Sequence, residues 1–230
     1  DKYSNPTPVI LGSEDIPGSG IVFSLVSTST GAYKFASPNP TGFSTGPGTA
    51  RMLIGQHTTS YYLADTLAGL HTHTIAENAG TRGWAVAAQT YTVVAAPPAR
   101  IIFNTPVRKL IAGATYSYLA GVPTPNIQVQ TRDIYNNISP VLTTQVVDVF
   151  STSLLGQASI TPNDPLTFTS IYGVNALSLT FSPGVSQRDF FYKDQITGFP
   201  VLSAVHQGNL IQAATQQAVI TPNSATMLSL

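Results

Sequence analysis

The sequence predicts an all-β chain folded as two tandem sandwiches, and three observations predict it. Runs of β-favouring residues, roughly four to eight long, recur throughout and are broken by Gly, Pro, Asn or Asp. No window pairs a 3.6-residue apolar period with a helix cap. The third observation is a duplication, in which segments of the first half return in the second half in the same order. Ordered self-similarity of this kind marks repeated units.

Val9-Ile10-Leu11-Gly12-Ser13-Glu14-Asp15 is echoed by Ile127-Gln128-Val129-Gln130-Thr131-Arg132-Asp133. Val22-Phe23-Ser24-Leu25-Val26-Ser27-Thr28-Ser29 returns as Val146-Val147-Asp148-Val149-Phe150-Ser151-Thr152-Ser153. Ser60-Tyr61-Tyr62-Leu63-Ala64-Asp65, closed by Gly69, returns as Asp189-Phe190-Phe191-Tyr192-Lys193-Asp194, closed by Gly198. The separations are 118 residues from Asp15 to Asp133, 124 from Val22 to Val146 and 129 from Asp65 to Asp194. A slowly growing separation is what loop insertions in a duplicated unit produce.

Strands are predicted at residues 90–94, 127–131, 144–150 and 177–181. Leu177-Ser178-Leu179-Thr180-Phe181 alternates apolar and polar residues, so one face is buried. Residues 63–70 come nearest to a helical pattern, but their repeat partner carries Phe190-Phe191-Tyr192, which favour strands. Ala95-Ala96-Pro97-Pro98 reads as a stiff joint, with Ile220-Thr221-Pro222-Asn223 as its counterpart. The expected boundaries are 1–96, 97–220 and 221–230. Pro98-Ala99-Arg100-Ile101-Ile102 matches Ser224-Ala225-Thr226-Met227-Leu228, so the last segment reads as the opening strand of a third unit, or as a donated strand. Before Asp15 there are 14 residues, against 34 from Ala99 to Asp133, so the first unit is expected to lack its own first strand. Asp1 in place of a methionine leads us to expect an upstream segment.

Of the 230 residues 9% are charged, with ten of each sign, against about 25% in an ordinary domain. This balance steers neither nucleic acid nor an anionic membrane, and a nearly neutral surface favours self-association. The absence of cysteine removes disulfides, thiolate nucleophiles and Cys-based zinc sites. No run approaches the ~20 apolar residues of a membrane-spanning helix.

Ile127-Gln128-Val129-Gln130-Thr131-Arg132-Asp133-Ile134-Tyr135-Asn136-Asn137 resembles the "V-x-V-x-D-x-x-G-N" strand and turn of bacterial immunoglobulin-like repeats. The repeats meant are those of invasin- and intimin-type adhesins and S-layer-type envelope proteins. Residues 189–194 with Gly198 resemble their "F-Y-Y-K-D-x-x-x-G" signature. Asn136 stands where those repeats carry glycine and tolerates a left-handed backbone. The first half departs further, with Asp15-Ile16-Pro17-Gly18 at the turn and Leu63-Ala64 in place of Tyr-Lys. The resemblance implies two immunoglobulin-like sandwiches in an extracellular, load-bearing or adhesive array.

Candidate chemistry is sparse. His71-Thr72-His73 sets two imidazoles on one strand face, either a metal pair lacking further ligands or a solvated strand. His57 and His206 read as surface or edge residues. Asp133, Asp148, Asp164, Asp189 and Asp194 could meet a calcium ion, but Asp15, Asp65, Asp133 and Asp194 recur at turns, where Asp bonds its own backbone. Neither a Ser/His/Asp triad nor a carboxylate pair can be assembled from a recognisable motif, and there is no P-loop or G-x-G-x-x-G, so no catalytic or cofactor-binding residue, no resident metal and no enzyme are expected. Tyr61, Tyr62, Trp84, Tyr116, Tyr118 and Tyr172 could stack on sugars or serve packing and subunit contact. Asn137-Ile138-Ser139 is a formal glycosylation sequon.

The leading expectation is a structural subunit of an extracellular filament or surface layer, joined head-to-tail to identical subunits or neighbouring repeats by β-strand complementation. Ala225, Met227, Leu228 and Leu230 would be the buried residues of the donated strand. Val9, Ile10 and Leu11 would form the acceptor edge. The alternative is an adhesin or carbohydrate-binding segment of a longer surface protein.

Overall fold

The computed structural model describes residues 6–10, 15, 20–37, 42–78, 82–113, 126–161 and 167–222. It divides into two compact units, Asp1–Ala95 and Ala96–Leu230. Both are all-β, and no α-helix occurs among the described residues.

The first unit holds β1 (Ile21–Ser27), β2 (Lys34–Ala36), β3 (Ser44–Thr45), β4 (Gly48–Met52), β5 (Tyr62–Ala64), β6 (Gly69–Glu77) and β7 (Ala87–Val93). One sheet runs β4-β1-β6-β7 and the other β3-β2-β5. Strand alternation turns Ile21, Leu25 and Ser27 of β1 inward. The core is thin. Leu25, Phe35 and Ala50 are buried, with Tyr33, Tyr61, Leu63 and Ile75 packed half-buried around them. A separate small cluster joins Val9, Ile21 and Met52, with Phe23 against it.

The second unit adds β8 (Arg100–Phe103), β9 (Lys109–Ile111), β10 (Ile127–Arg132), β11 (Gln145–Ser151), β12 (Gln157–Ser159) and β13 (Thr169–Ser170). It continues with β14 (Leu177–Phe181), β15 (Gln187–Lys193), β16 (Val201–His206), β17 (Ala214–Gln217) and β18 (Val219–Thr221). Its sheets run β13-β12-β15-β10-β8 and β14-β11-β16-β17, and β18 pairs in parallel with β9. One continuous core includes Ile101, Leu110, Ile127, Val129, Phe181, Phe190 and Leu202. Each such side chain contributes about 1.5–3 kcal/mol.

The ladders superimpose strand for strand. Leu25 faces Gly48 and Ile75 across β1, as Val149 faces Leu177 and Ala204 across β11. Lys34 faces Ala64 as Gln157 faces Lys193. The closing glycines Gly69 and Gly198 share φ values of 145° and 144°, where any side chain is strained. Asn136 adopts the left-handed backbone expected of it, with φ at 73°.

The units differ in three strands, since nothing among the described residues of the first matches β8, β9 or β10. Of the segment echoing β10, the described residues Val9, Ile10 and Asp15 belong to no strand. Val9 instead makes one parallel bridge to Ile54, with its N–H donated to the Gln56 carbonyl at 2.7 Å. The sequence explains the difference: β10 alternates apolar and polar residues, whereas Val9-Ile10-Leu11-Gly12-Ser13 has no period of two. Ile220 and Thr221, read as part of a joint, belong to β18 inside the second unit, and Ile220 is buried. The proposed donor residues Ala225, Met227, Leu228 and Leu230 lie outside the described residues.

Candidate functional site: the open flank of the first unit

In the second unit β8, β9 and β10 close one flank of the sandwich. Residues 127–130 of β10 pair antiparallel with residues 187–190 of β15. Arg100 of β8 bridges Gln212 in parallel, and β9 runs parallel to β18. Together they bury Ile101, Leu110, Ile127 and Val129.

The matching flank of the first unit presents two edges. Residues 58–61, equivalent to 187–190, belong to no ladder among the described residues. β7, equivalent to β17 and β18, pairs only with β6 there, and residues 87–90 are exposed. Between the edges lies a slot of about 290 Å³ lined by Tyr61, His73, Ile75, Ala87, Ala88 and Gln89. The residues equivalent to Tyr61, His73 and Ile75 are Phe190, Leu202 and Ala204, all fully buried. His73 is 9% exposed and its Nδ1 has no hydrogen-bond partner among the described residues. Its ring packs edge-on against Tyr61 at 5.7 Å.

Beside the slot sits a hydroxyl lock present in both units. Tyr192 Oη lies 2.9 Å from Ser151 Oγ and donates to Asp194 Oδ2 at 2.7 Å. In the first unit Leu63 replaces Tyr192, and Tyr91 of β7 supplies the hydroxyl instead. It lies 2.6 Å from Ser27 Oγ and donates to Asp65 Oδ2 at 2.8 Å. Burial, reinforced by the neighbouring carboxylate, pushes both tyrosine hydroxyls up. Burial also pushes Asp65 up, but bonds from Leu67, Ser29, Tyr91 and Thr66 outweigh it and hold the carboxyl below its ordinary range. Sequence reading missed this exchange because the hydroxyl changes strand.

The remaining candidates fall as follows. Val9 is buried, Ile10 is exposed, and Leu11 lies outside the described residues. Asp65, Asp133 and Asp194 each accept the N–H two residues ahead, at 3.1, 2.9 and 3.0 Å. Asp15 accepts from Val22 and pairs with Arg82, which also pairs with Glu77. Asp148 binds Ser178 and Gln207, Asp189 binds Gln128, and Asp164 lies outside the described residues. Asn137 Nδ2 donates to Asp133 Oδ2 at 2.8 Å, and Ser139 of the sequon is buried.

His71 and His73 both flank the Tyr91 ring, and His71 Nε2 donates to the Leu67 carbonyl. No cluster of three or more metal-ligating side chains occurs among the described residues. His206 corrects its surface reading, being 4% exposed. Its Nδ1 accepts from the Gly208 and Leu210 amides, so Nε2 carries the proton donated to Gln145 Oε1. Trp84 stacks on Phe23, with the Arg82 guanidinium 5.7 Å from its ring. Tyr62 and Tyr172 are exposed, while Tyr116 and Tyr118 lie outside the described residues.

No protein-family model matches the chain, and no curated protein matches it. Among solved structures it is similar to a glycosyl hydrolase family 2 member from Bacteroides cellulosilyticus, at 13% identity and a TM-score of 0.38, covering 90% of this chain and 24% of that one. Domains 4 and 5 of the S-layer protein SbsC give 14% and 0.32, covering 83% and 70%. The Yersinia pseudotuberculosis adhesin InvE gives 14% and 0.33, covering 89% and 55%. The chain spans about a quarter of the first glycosidases it matches. The presence of several glycosidases among these structures overturns the expectation that no enzyme is involved, and that exclusion is withdrawn. The likeness is distant throughout and assigns no activity.

Proposed function

We propose that the chain is a structural segment of an extracellular or cell-surface assembly, a filament or surface layer, whose first unit is completed by a β-strand from a neighbouring copy. One observation carries this reading: the flank that β8, β9 and β10 close in the second unit is, among the described residues, bounded in the first by two edges and a slot. A sheet edge without a ladder is a template for pairing.

Residues 224–230 are the proposed donor because they match 98–104 in sequence. Running parallel to the chain entering β7, as Arg100 of β8 bridges Gln212 in parallel just before β17, they would set Met227 where Ile101 sits and Leu228 where Ile102 sits. Ala225 and Leu230 add apolar area. The acceptor edge of this reading is β7 with residues 58–61 rather than Val9, Ile10 and Leu11. Such a contact joins unlike surfaces, does not close, and propagates a fibre or layer. The low charge leaves little repulsion between copies.

Deleting residues 224–230 tests the proposal by sedimentation and negative-stain microscopy. Monomers that polymerise again when the deleted segment is restored support it. Polymers that form equally well without the segment refute it.

A further inference from the structure

A second feature recurs in both units, where residues 58–60 meet β4 and where residues 187–189 meet β14. In the first unit a groove of about 620 Å³ is lined chiefly by Ser37, Thr49, Arg51, Thr58, Thr59 and Ser60. In the second, a groove of about 600 Å³ is lined chiefly by Ile160, Ser178, Thr180, Gln187, Arg188 and Asp189. These are the same positions. The ladders set Thr49 and Arg51 of β4 where β14 has Ser178 and Thr180, and they place residues 58–60 at 187–189 of β15.

One wall bonds the other in the same way in both units. Thr59 Oγ1 donates to the Arg51 carbonyl at 2.8 Å, and Arg188 Nε donates to the Thr180 carbonyl at 2.6 Å. Each groove holds one guanidinium, but on opposite walls, since Arg51 matches Thr180 and Arg188 matches Thr59. The charge is kept while its position moves. A cap on an edge carbonyl needs no arginine, as Thr59 demonstrates. Arg51 is exposed, and its side chain has no hydrogen bond or ion pair among the described residues.

We infer that each unit binds an acidic polysaccharide in this groove, with Arg51 and Arg188 pairing to its carboxylates. The chemistry selects that class. The carbonyl that an added peptide strand would use is already taken in both units, which disfavours strand pairing. No aromatic side chain among the described residues lines either groove, which disfavours stacking on neutral sugar rings. Hydroxyls and amides supply hydrogen bonds to sugar hydroxyls, and a guanidinium meets a carboxylate in a two-pronged bond. Asp189 in the second groove is held by Gln128 at 3.0 Å.

The test is calorimetric titration of the full chain with polygalacturonate, with dextran as the neutral control. Two sites per chain for polygalacturonate, weakening as salt rises, and none for dextran are expected. Arg51→Gln and Arg188→Gln should each weaken their own site roughly threefold to tenfold, and the double variant should show both sites weakened by that factor. Arg188→Lys separates charge from the Thr180 contact, and thermal melting shows that each variant is folded. Unchanged binding in the folded double variant, equal binding of dextran, or no binding of either polymer would overturn the inference.

Discussion

Tyr91 and Tyr192 reach the same pair of partners, a Ser of the β1 or β11 end and an Asp after β5 or β15, from different strands. Removing either hydroxyl leaves a carboxylate short of a donor, buried at Asp194 and half-buried at Asp65. Tyr192→Phe and Tyr91→Phe should each cost about 1–2 kcal/mol in urea unfolding, and a neutral result at either would make the lock decorative. His73 is the opposite case, a polar ring where Leu202 sits in the other unit. His73→Leu should stabilise the first unit by about 1 kcal/mol, because its orphan Nδ1 disappears. Burial pushes the Asp133 carboxyl up, but bonds from Asn137, Ala96 and Tyr135 outweigh it and hold the carboxyl below its ordinary range. Its contribution is therefore complete above the unfolded value of ~3.9 and is lost as pH falls through the lower folded value. Asp133→Asn should flatten that acid limb of the stability curve, measured by denaturant titration between pH 2 and about 5.

At the scale of elements, the sequence revealed those strands whose pattern survives duplication. β10 and β14 alternate clearly in sequence, β11 alternates in burial, and the closing glycines mark equivalent turns. The echo of β10 at Val9 was legible only as composition, since three adjacent apolar residues cannot say which face is buried. The lock and the open flank were hidden because pairing partners, unlike periodicity, are set by tertiary contacts. The packing difference between units predicts unequal costs for similar truncations. Val129→Ala, in a fully buried site, should cost about 2–3 kcal/mol. Leu63→Ala, half-buried in the thin core, should cost less than about half of that. Chemical unfolding of each variant checks the ratio, and equal costs would mean that the first core is as complete as the second.

For the whole molecule, assembly turns on the difference between a closed second sandwich and a first one bounded, among the described residues, by edges. The first groove shares residues 58–60 with the acceptor edge but takes its guanidinium from Arg51 of β4, so Arg51→Gln and Arg188→Gln should weaken polysaccharide binding and leave assembly intact. The most direct measurement is amide hydrogen exchange across β7, compared between assembled full-length chain and chain lacking residues 224–230. The account predicts fast exchange at residues 87–93 on the non-β6 side in the shortened chain, and strong protection in the assembly, while β17 and β18 stay protected in both. Equal protection of β7 in the two samples would contradict it.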